Sequence, residues 1–240
     1  MRTVFISDLH LGDHSPEIEQ LFHHFMEQLL KPTDTLYILG DFFEAWIGDD
    51  AQTDLSVRVI EALSKHTSNG GTGYFMHGNR DFLIGSEFCS QTGFQLIEEP
   101  YAITLGTQQC TLLHGDSLCT DDVEYQKFKT MVRDTQWQAE FLSKPIEERL
   151  AVARNLREKS QQSTQMKADE ITDVCPQAVL QLFQDSKADI IIHGHTHREN
   201  RHQVSTKQGL KERIVLGDWG KTASVLIFDQ DRLTLNNYSL

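Results

Sequence analysis

Five short apolar runs, each ending in an Asp, Asn or His, constrain this chain more than any other feature. The first is Val4-Phe5-Ile6-Ser7-Asp8-Leu9-His10. A strand feeding a loop with that ending offers a carboxylate oxygen and an imidazole nitrogen from one edge, a mixed donor set that suits manganese, iron or zinc. Leu36-Tyr37-Ile38-Leu39 then leads into Gly40-Asp41, and Tyr74-Phe75-Met76 leads to Gly78-Asn79-Arg80-Asp81. Cys110 to Leu113 ends at His114-Gly115-Asp116, and Ile190-Ile191-Ile192 runs into His193-Gly194-His195-Thr196-His197. Taken singly, Asp41 reads as a cap or turn residue, Asn79 as a left-handed turn and His114 as a half-buried histidine. Seven ligand-type side chains at strand ends are hard to explain that way, because strand ends of α/β sheets gather at one edge.

Helical spacing fills the gaps between the early runs. Residues 17–30 read as a helix started by Ser15-Pro16, with Ile18, Leu21, Phe22, Phe25 and Leu29 on its apolar face. A second helix is expected near 54–67. Strand, helix, strand, helix is the pattern of a sheet with helices packed on it. Tyr101–Leu105 and Cys110–Leu113 read as a hairpin. Residues 121–169 carry only helical spacing, a helix follows near 176–186, and from Arg213 two or three closing strands are expected. The expectation is an α/β protein: a two-sheet sandwich flanked by helices (α/β/β/α), with core segments 1–121 and 169–240 and a helical insertion at 122–168.

Composition narrows the classes. With 240 residues the chain can bury one large core. No stretch approaches the ~20 apolar residues of a membrane span, and the N-terminus does not read as a secretory signal. Cys89, Cys110, Cys119 and Cys175 form no Cys-x-x-Cys pair and read as reduced thiols of a cytoplasmic protein. A formal net charge of −13 argues against general nucleic-acid binding through phosphates. It leaves room for a phosphorylated substrate, since bound cations supply local positive field.

Asp8-x-His10, Gly40-Asp41, Gly78-Asn79, His114 and Gly194-His195-x-His197, in that order, resemble the five blocks of the calcineurin-like metallophosphoesterases. That resemblance implies two divalent metal ions, manganese foremost. Asp8, His10, Asp41 and His197 would hold one. Asp41, Asn79, His114 and His195 would hold the other, with Asp41 bridging. Two metals ~3.5–4 Å apart can share a hydroxide and clamp a phosphoryl group. The common pattern places a His after Gly-Asn; here it is Arg80. Arg is no general acid near neutral pH, but its fork binds phosphate oxygens. A phosphate leaving group needs little protonation, so Arg80 favours cleavage of a phosphoanhydride. The competing reading is a surface Arg paired to Asp81.

Three further stretches narrow the match: Phe43-Glu44-Ala45-Trp46-Ile47-Gly48-Asp49-Asp50, Gly78 through Leu83, and His114-Gly115-Asp116 through Asp122. They resemble the lipid-nucleotide pyrophosphatases that act on UDP-2,3-diacylglucosamine in lipid A synthesis. The resemblance implies hydrolysis to 2,3-diacylglucosamine 1-phosphate (lipid X) and UMP, by a metal-activated hydroxide attacking the uridylyl phosphorus. It implies Asp41, Asn79, Arg80 and His195 as the catalytic group. Asn79, Arg80, Asp122, Ser160, Thr164, Lys167 and His195 would hold the substrate head; at Thr164 relatives often carry Asn. It also implies a peripheral place on the inner face of the bacterial inner membrane, with no obligate protein partner.

The insertion suits such a substrate. Nine basic against seven acidic side chains leave 122–168 near +2, while the remainder carries about −15. On one helix, Arg157, Ser160, Thr164 and Lys167 fall within about 80° of one another, a cationic stripe. Phe128, Met131, Val132, Trp137, Phe141, Leu142, Ile146, Leu150, Val152 and Leu156 must divide between the insertion's own packing and a slot for acyl chains. Lys144, Arg149 and Arg154 are candidates to meet anionic headgroups. Two rivals stand beside this reading. One is another dinuclear metallophosphoesterase with a different phosphodiester or nucleotide substrate. The other is a binding scaffold of the same fold without activity, disfavoured because every ligand position is filled. A dinucleotide-binding fold is disfavoured because no Gly-x-Gly-x-x-Gly follows the first strand.

Overall fold

The computed structural model describes residues 2–165 and 171–239, with side chains described in that range except at 159–165. Two sheets face each other. The first has six strands in the order β11-β10-β1-β2-β3-β4. These are β1 (Thr3–Ile6), β2 (Thr35–Ile38), β3 (Thr72–Met76), β4 (Gln95–Ile97), β10 (Ala223–Asp229) and β11 (Arg232–Tyr238). The second has five, in the order β5-β6-β7-β9-β8: β5 (Tyr101–Leu105), β6 (Gln108–Leu112), β7 (Ile190–His193), β8 (Asn200–Thr206) and β9 (Gly209–Val215).

The early strands read as unbroken apolar runs because both of their faces are buried, as parallel strands between layers require. Phe5, Tyr37, Leu39 and Met76 point into the sandwich and meet Cys110, Leu112, Ile190, Ile192 and Ile214 of the other sheet. Val4, Ile6, Leu36, Ile38 and Phe75 face outward onto the helical layer. That layer is α1 (Pro16–His24), α2 (Asp54–Ser68) and α3 (Ser86–Thr92), which contribute Phe22, Val59, Leu63 and Phe88. On the far side α7 (Pro176–Ser186) covers Ile191 with Val179 and Phe183. The layers are therefore helix, sheet, sheet, helix, as expected.

Register decides where function can sit. β1, β2 and β3 run parallel, pairing Thr3 with Thr35 and Thr35 with Thr72. β6 and β7 are parallel in the second sheet, pairing Cys110 with Ile190. Their C-terminal ends therefore open on one edge of the sandwich.

The structure departs from the sequence reading in several places. The first helix does not run straight to residue 30; after His24 it passes into a π-helical turn at Phe25–Leu29, and Leu30 N–H donates to Phe25 O. α3 and β4 carry too few residues for a periodic signal. The closing strands number four and begin at Asn200, because β8 is an edge strand with mostly exposed side chains and little apolar signature. The insertion folds as α4 (Val123–Val132), α5 (Thr135–Leu142) and α6 (Ile146–Gln165). Phe141, Trp137, Val152 and Ala153 pack it onto the same apolar cluster as α1 to α3. Among the described residues no helix is long and apolar enough to cross a membrane.

Candidate metal centre and substrate cleft

Two clusters of ligand-type side chains meet at the open edge: Asp8, His10 and His197, and Asp41, His114 and His195. The backbone that presents them is unusual. Asp8, His10, Asp41, His195 and His197 all have φ between 50° and 68°. Such left-handed backbone is uncommon for residues other than glycine and costs roughly 1–2 kcal/mol each. It turns each strand end sharply, so that the side chain points back over the edge. Gly40 and Gly78 permit the close approach of two of these turns. Gly40 has φ +87°, and a Cβ on Gly78 would lie 2.2 Å from Asp41 N and Oδ1.

Within the first cluster, His10 Nε2 and His197 Nε2 face each other at 3.4 Å, and His197 Nε2 lies 3.4 Å from Asp8 Oδ1. In the second, Asp41 Oδ1 is 3.7 Å from His114 Nε2, and Asn79 Oδ1 is 3.1 Å from His114 Nε2 and 3.0 Å from His195 Nδ1. Asp41 stands between the clusters, its Oδ2 3.9 Å from His10 Nε2. Hydrogen bonds behind the ligands set their aim. His114 Nδ1–H donates to Leu39 O at 2.8 Å, which fixes the ring with Nε2 turned to the open side. Asp8 Oδ2 accepts from Ser7 Oγ and from His195 N.

The donor set fits divalent cations. Asp8 Oδ1 is buried with no well-formed hydrogen bond, only His197 Nε2 at 3.4 Å beside it, a state for a carboxylate oxygen that a bound cation would relieve. Burial alone would lower the His114 imidazole, yet Asp41, Asp116 and Asp8 push it up to about 9. The edge is a site of negative potential that attracts positive charge.

Arg80 sits beside this edge. Its N–H donates to Asp41 Oδ1 at 2.8 Å, and its Nε is buried without a partner. The alternative pairing with Asp81 is overturned: Asp81 is fully buried and turned inward, accepting from Phe42 N and Gly78 N at 2.8 Å each. From the edge a cleft of about 670 Å³ runs between core and insertion. Asn79, Arg80, Glu44, Tyr125 and Arg157 lie along it, and its apolar lining includes Trp46, Ile47, Phe82 and Leu83 from the core with Phe128, Phe141, Ile146, Leu150 and Leu156 from the insertion.

The quoted motifs turn out to tie the insertion to the edge. Buried Asp116 accepts from Tyr125 Oη at 2.6 Å and Lys129 Nζ at 2.9 Å, and Lys129 also meets Glu99, whose other oxygen accepts from His114 N. The Tyr125 ring lies 5.8 Å from that of His195. Arg133 donates to Gly78 O at 2.8 Å. Asp49 accepts three N–H groups at the start of α3, from Gly85, Glu87 and Phe88, and the Trp46 indole N–H. None of these partners was readable from sequence; the only signal was an acidic residue in an otherwise apolar or glycine-containing motif.

Other expected residues fall as follows. Asp122 is buried and caps α4, accepting from Tyr125 N at 3.1 Å. Arg157 meets Glu44 at 3.0 Å. Ser160 and Thr164 lie on α6, but their side chains, and all of Lys167, are outside the described residues. Arg149 corrects the expectation of a headgroup contact. It is buried, donates to Ile47 O at 2.7 Å and pairs both terminal nitrogens, Nη1 and Nη2, with Asp50, because α6 lies against that loop.

A two-sheet sandwich with paired ligand clusters at one edge defines a metallophosphoesterase. The chain belongs to the calcineurin-like phosphoesterase family, which it matches over residues 1–199. Within that class it is similar to proteins named UDP-2,3-diacylglucosamine hydrolase. The one from Chromohalobacter salexigens is 48% identical over 219 residues, covering 91% of this chain and 89% of that protein. The one from Cellvibrio japonicus is 44% identical over 240 residues, the whole of both. Among solved structures, an archaeal phosphodiesterase aligns over the whole of both chains with a TM-score of 0.50 and 14% identity, a likeness of fold.

Proposed function

We propose that the chain hydrolyses the pyrophosphate bond of UDP-2,3-diacylglucosamine, releasing UMP and 2,3-diacylglucosamine 1-phosphate (lipid X). The observation that carries this is the cleft: apolar on both walls, it opens beside Arg80 and the ligand clusters, so one molecule with an acylated end and a charged pyrophosphate fits it end to end. End-to-end similarity to proteins named for that substrate supports the same reading.

Asp8, His10, Asp41 and His197 would hold one divalent cation, and Asp41, Asn79, His114 and His195 the other, manganese in this reading. Such a pair supplies Lewis acidity and neutralises charge on the phosphoryl oxygens. Arg80, with Nε unpaired at the edge, binds the phosphate that leaves and stabilises its charge without giving up a proton. Residues 122–168 act as a lid. Asp122, Arg157, Ser160, Thr164 and Lys167 are the substrate contacts it contributes, and its inner apolar side chains shelter the acyl chains. Outward, Val123, Met131 and Leu142 are exposed, with Lys144 near Leu142 in sequence. That mixture suits peripheral attachment to an anionic bilayer, on the cytoplasmic face of the inner membrane.

Hydrolysis in water enriched in heavy oxygen, with manganese present, tests the reaction. UMP carrying the label is expected. Label in the lipid phosphate would move the attack to the other phosphorus. Cleavage of a simple phosphodiester without turnover of the lipid nucleotide would discard the substrate.

A further inference from the structure

The Phe43 to Asp50 motif contains one acidic residue whose contacts the proposed mechanism leaves unused. Asp49 caps α3 and Asp50 holds Arg149, but Glu44 faces the metal edge. Its Oε2 lies 3.5 Å from His10 Nδ1, and its Oε1 lies 3.0 Å from the Arg157 guanidinium on α6. Both Glu44 and His10 are largely withdrawn from solvent, at 14% and 19% side-chain exposure. The Glu44 backbone is fixed relative to His10: Glu44 N–H donates to Leu11 O, and Leu11 bridges to Phe43.

We propose that Glu44 is a positioning residue that joins the insertion to the metal edge, holding the His10 ring through Nδ1 with one oxygen and seating Arg157 over the cleft mouth with the other. His10 Nε2 points the opposite way, toward His197 Nε2 and Asp41 Oδ2. A carboxylate at Nδ1 keeps the proton on that nitrogen, leaves Nε2 free to bind and fixes the ring against a flip. Among the described residues, Glu44 is the polar side chain that meets His10 Nδ1. Each oxygen has its own partner, so the two contacts coexist, and withdrawal of α6 removes the charge that balances the carboxylate. The loop from Glu44 to Asp50 thus grips α6 twice. In the first grip Arg149 is 2% exposed; in the second Arg157 is 38% exposed and lies along the same cleft as Arg80.

The proposal rests on His10 being a metal ligand, and its test separates the two. Binding of Mn2+ alone to the full chain is measured by electron paramagnetic resonance for Glu44→Ala, Glu44→Gln, Arg157→Ala and His10→Ala, with melting curves for each. Glu44→Ala is expected to weaken Mn2+ binding about 10–100-fold. Glu44→Gln, which keeps an acceptor at Nδ1, loses less. Arg157→Ala retains Mn2+ affinity but raises KM for the lipid nucleotide, while Glu44→Ala raises KM as well. If Glu44→Ala binds Mn2+ as tightly as the unsubstituted chain while His10→Ala does not, the positioning role is overturned, whatever its melting temperature. If His10→Ala also binds unchanged, the ligand reading is overturned and this proposal with it.

Discussion

His197→Gly and His197→Ala form a matched pair that isolates the backbone cost of the metal edge. His197 has φ 56° and a side chain 39% exposed, so truncation disturbs little packing. Both variants lose the imidazole and its contacts with Asp8 and His10. They differ in that Ala keeps a Cβ in left-handed backbone, while Gly does not. The left-handed conformation costs roughly 1–2 kcal/mol, and the extra freedom glycine gives the unfolded chain takes back roughly 0.5–1 kcal/mol. The Gly variant is therefore expected to be more stable than the Ala variant by about 1 kcal/mol. In a chain of this size that is a difference of about 2–4 °C in Tm. The assay is thermal and denaturant melting of both variants without added metal, and neither should bind Mn2+ as the unsubstituted chain does. An Ala variant as stable as the Gly variant, or more stable, would refute the claim that this edge stores strain.

Arg80→Ala should lower turnover of the lipid nucleotide by about 100-fold or more while bound metal is unchanged; loss of metal would mean that Arg80 supports the ligands and does not serve the phosphate. Lys129→Met removes the cation paired with the buried Asp116 carboxylate, leaving the Tyr125 hydroxyl as its side-chain donor, and should cost roughly 3–5 kcal/mol in denaturant melts, with Asp116→Asn in the same chain restoring part of it; a cost under about 1 kcal/mol would contradict the pairing, since that is the scale of an exposed ion pair. Gly78→Ala places a Cβ 2.2 Å from Asp41 N and Oδ1 and should abolish Mn2+ binding measured by calorimetry; unchanged affinity would show that the two turns can separate freely.

The parts of this fold that could be read in advance share a physical cause. β1, β2, β3 and β7 lie between layers, so their residues are apolar or small, His193 at the end of β7 apart, and the run stands out. β4 and β8 have mostly exposed side chains, and nothing in their composition separates them from loops. The candidate ligands stood out because each follows a buried run, where a bare Asp, Asn or His needs a reason. Their partners were not. Arg149 appears in sequence as one more charge on a helix, and only the loop at Ile47 and Asp50 makes it a buried residue. Glu44 and Asp116 sat inside motifs of known pattern, yet Glu44 touches His10 in the core and Arg157 on the insertion, and Asp116 touches Tyr125 and Lys129, contacts that no local spacing encodes.

One further consequence follows from the pairing of β1 with β10, in which Phe5 stands opposite Leu226. During synthesis the first strand emerges early and its inner neighbour β2 soon after, but its other edge stays open until residues past 220 have left the ribosome. The same delay applies to the edge above it, where Asp8 and His195 meet across 187 residues. Between the emergence of β2 and that of β10 the nascent chain therefore displays an apolar strand with unsatisfied backbone groups along one edge, the condition under which strand edges recruit wrong partners. Closure of the sheet by β10 and completion of the clusters by His195 and His197 come from neighbouring stretches of sequence, so that ability to capture metal arrives together with the protection of β1.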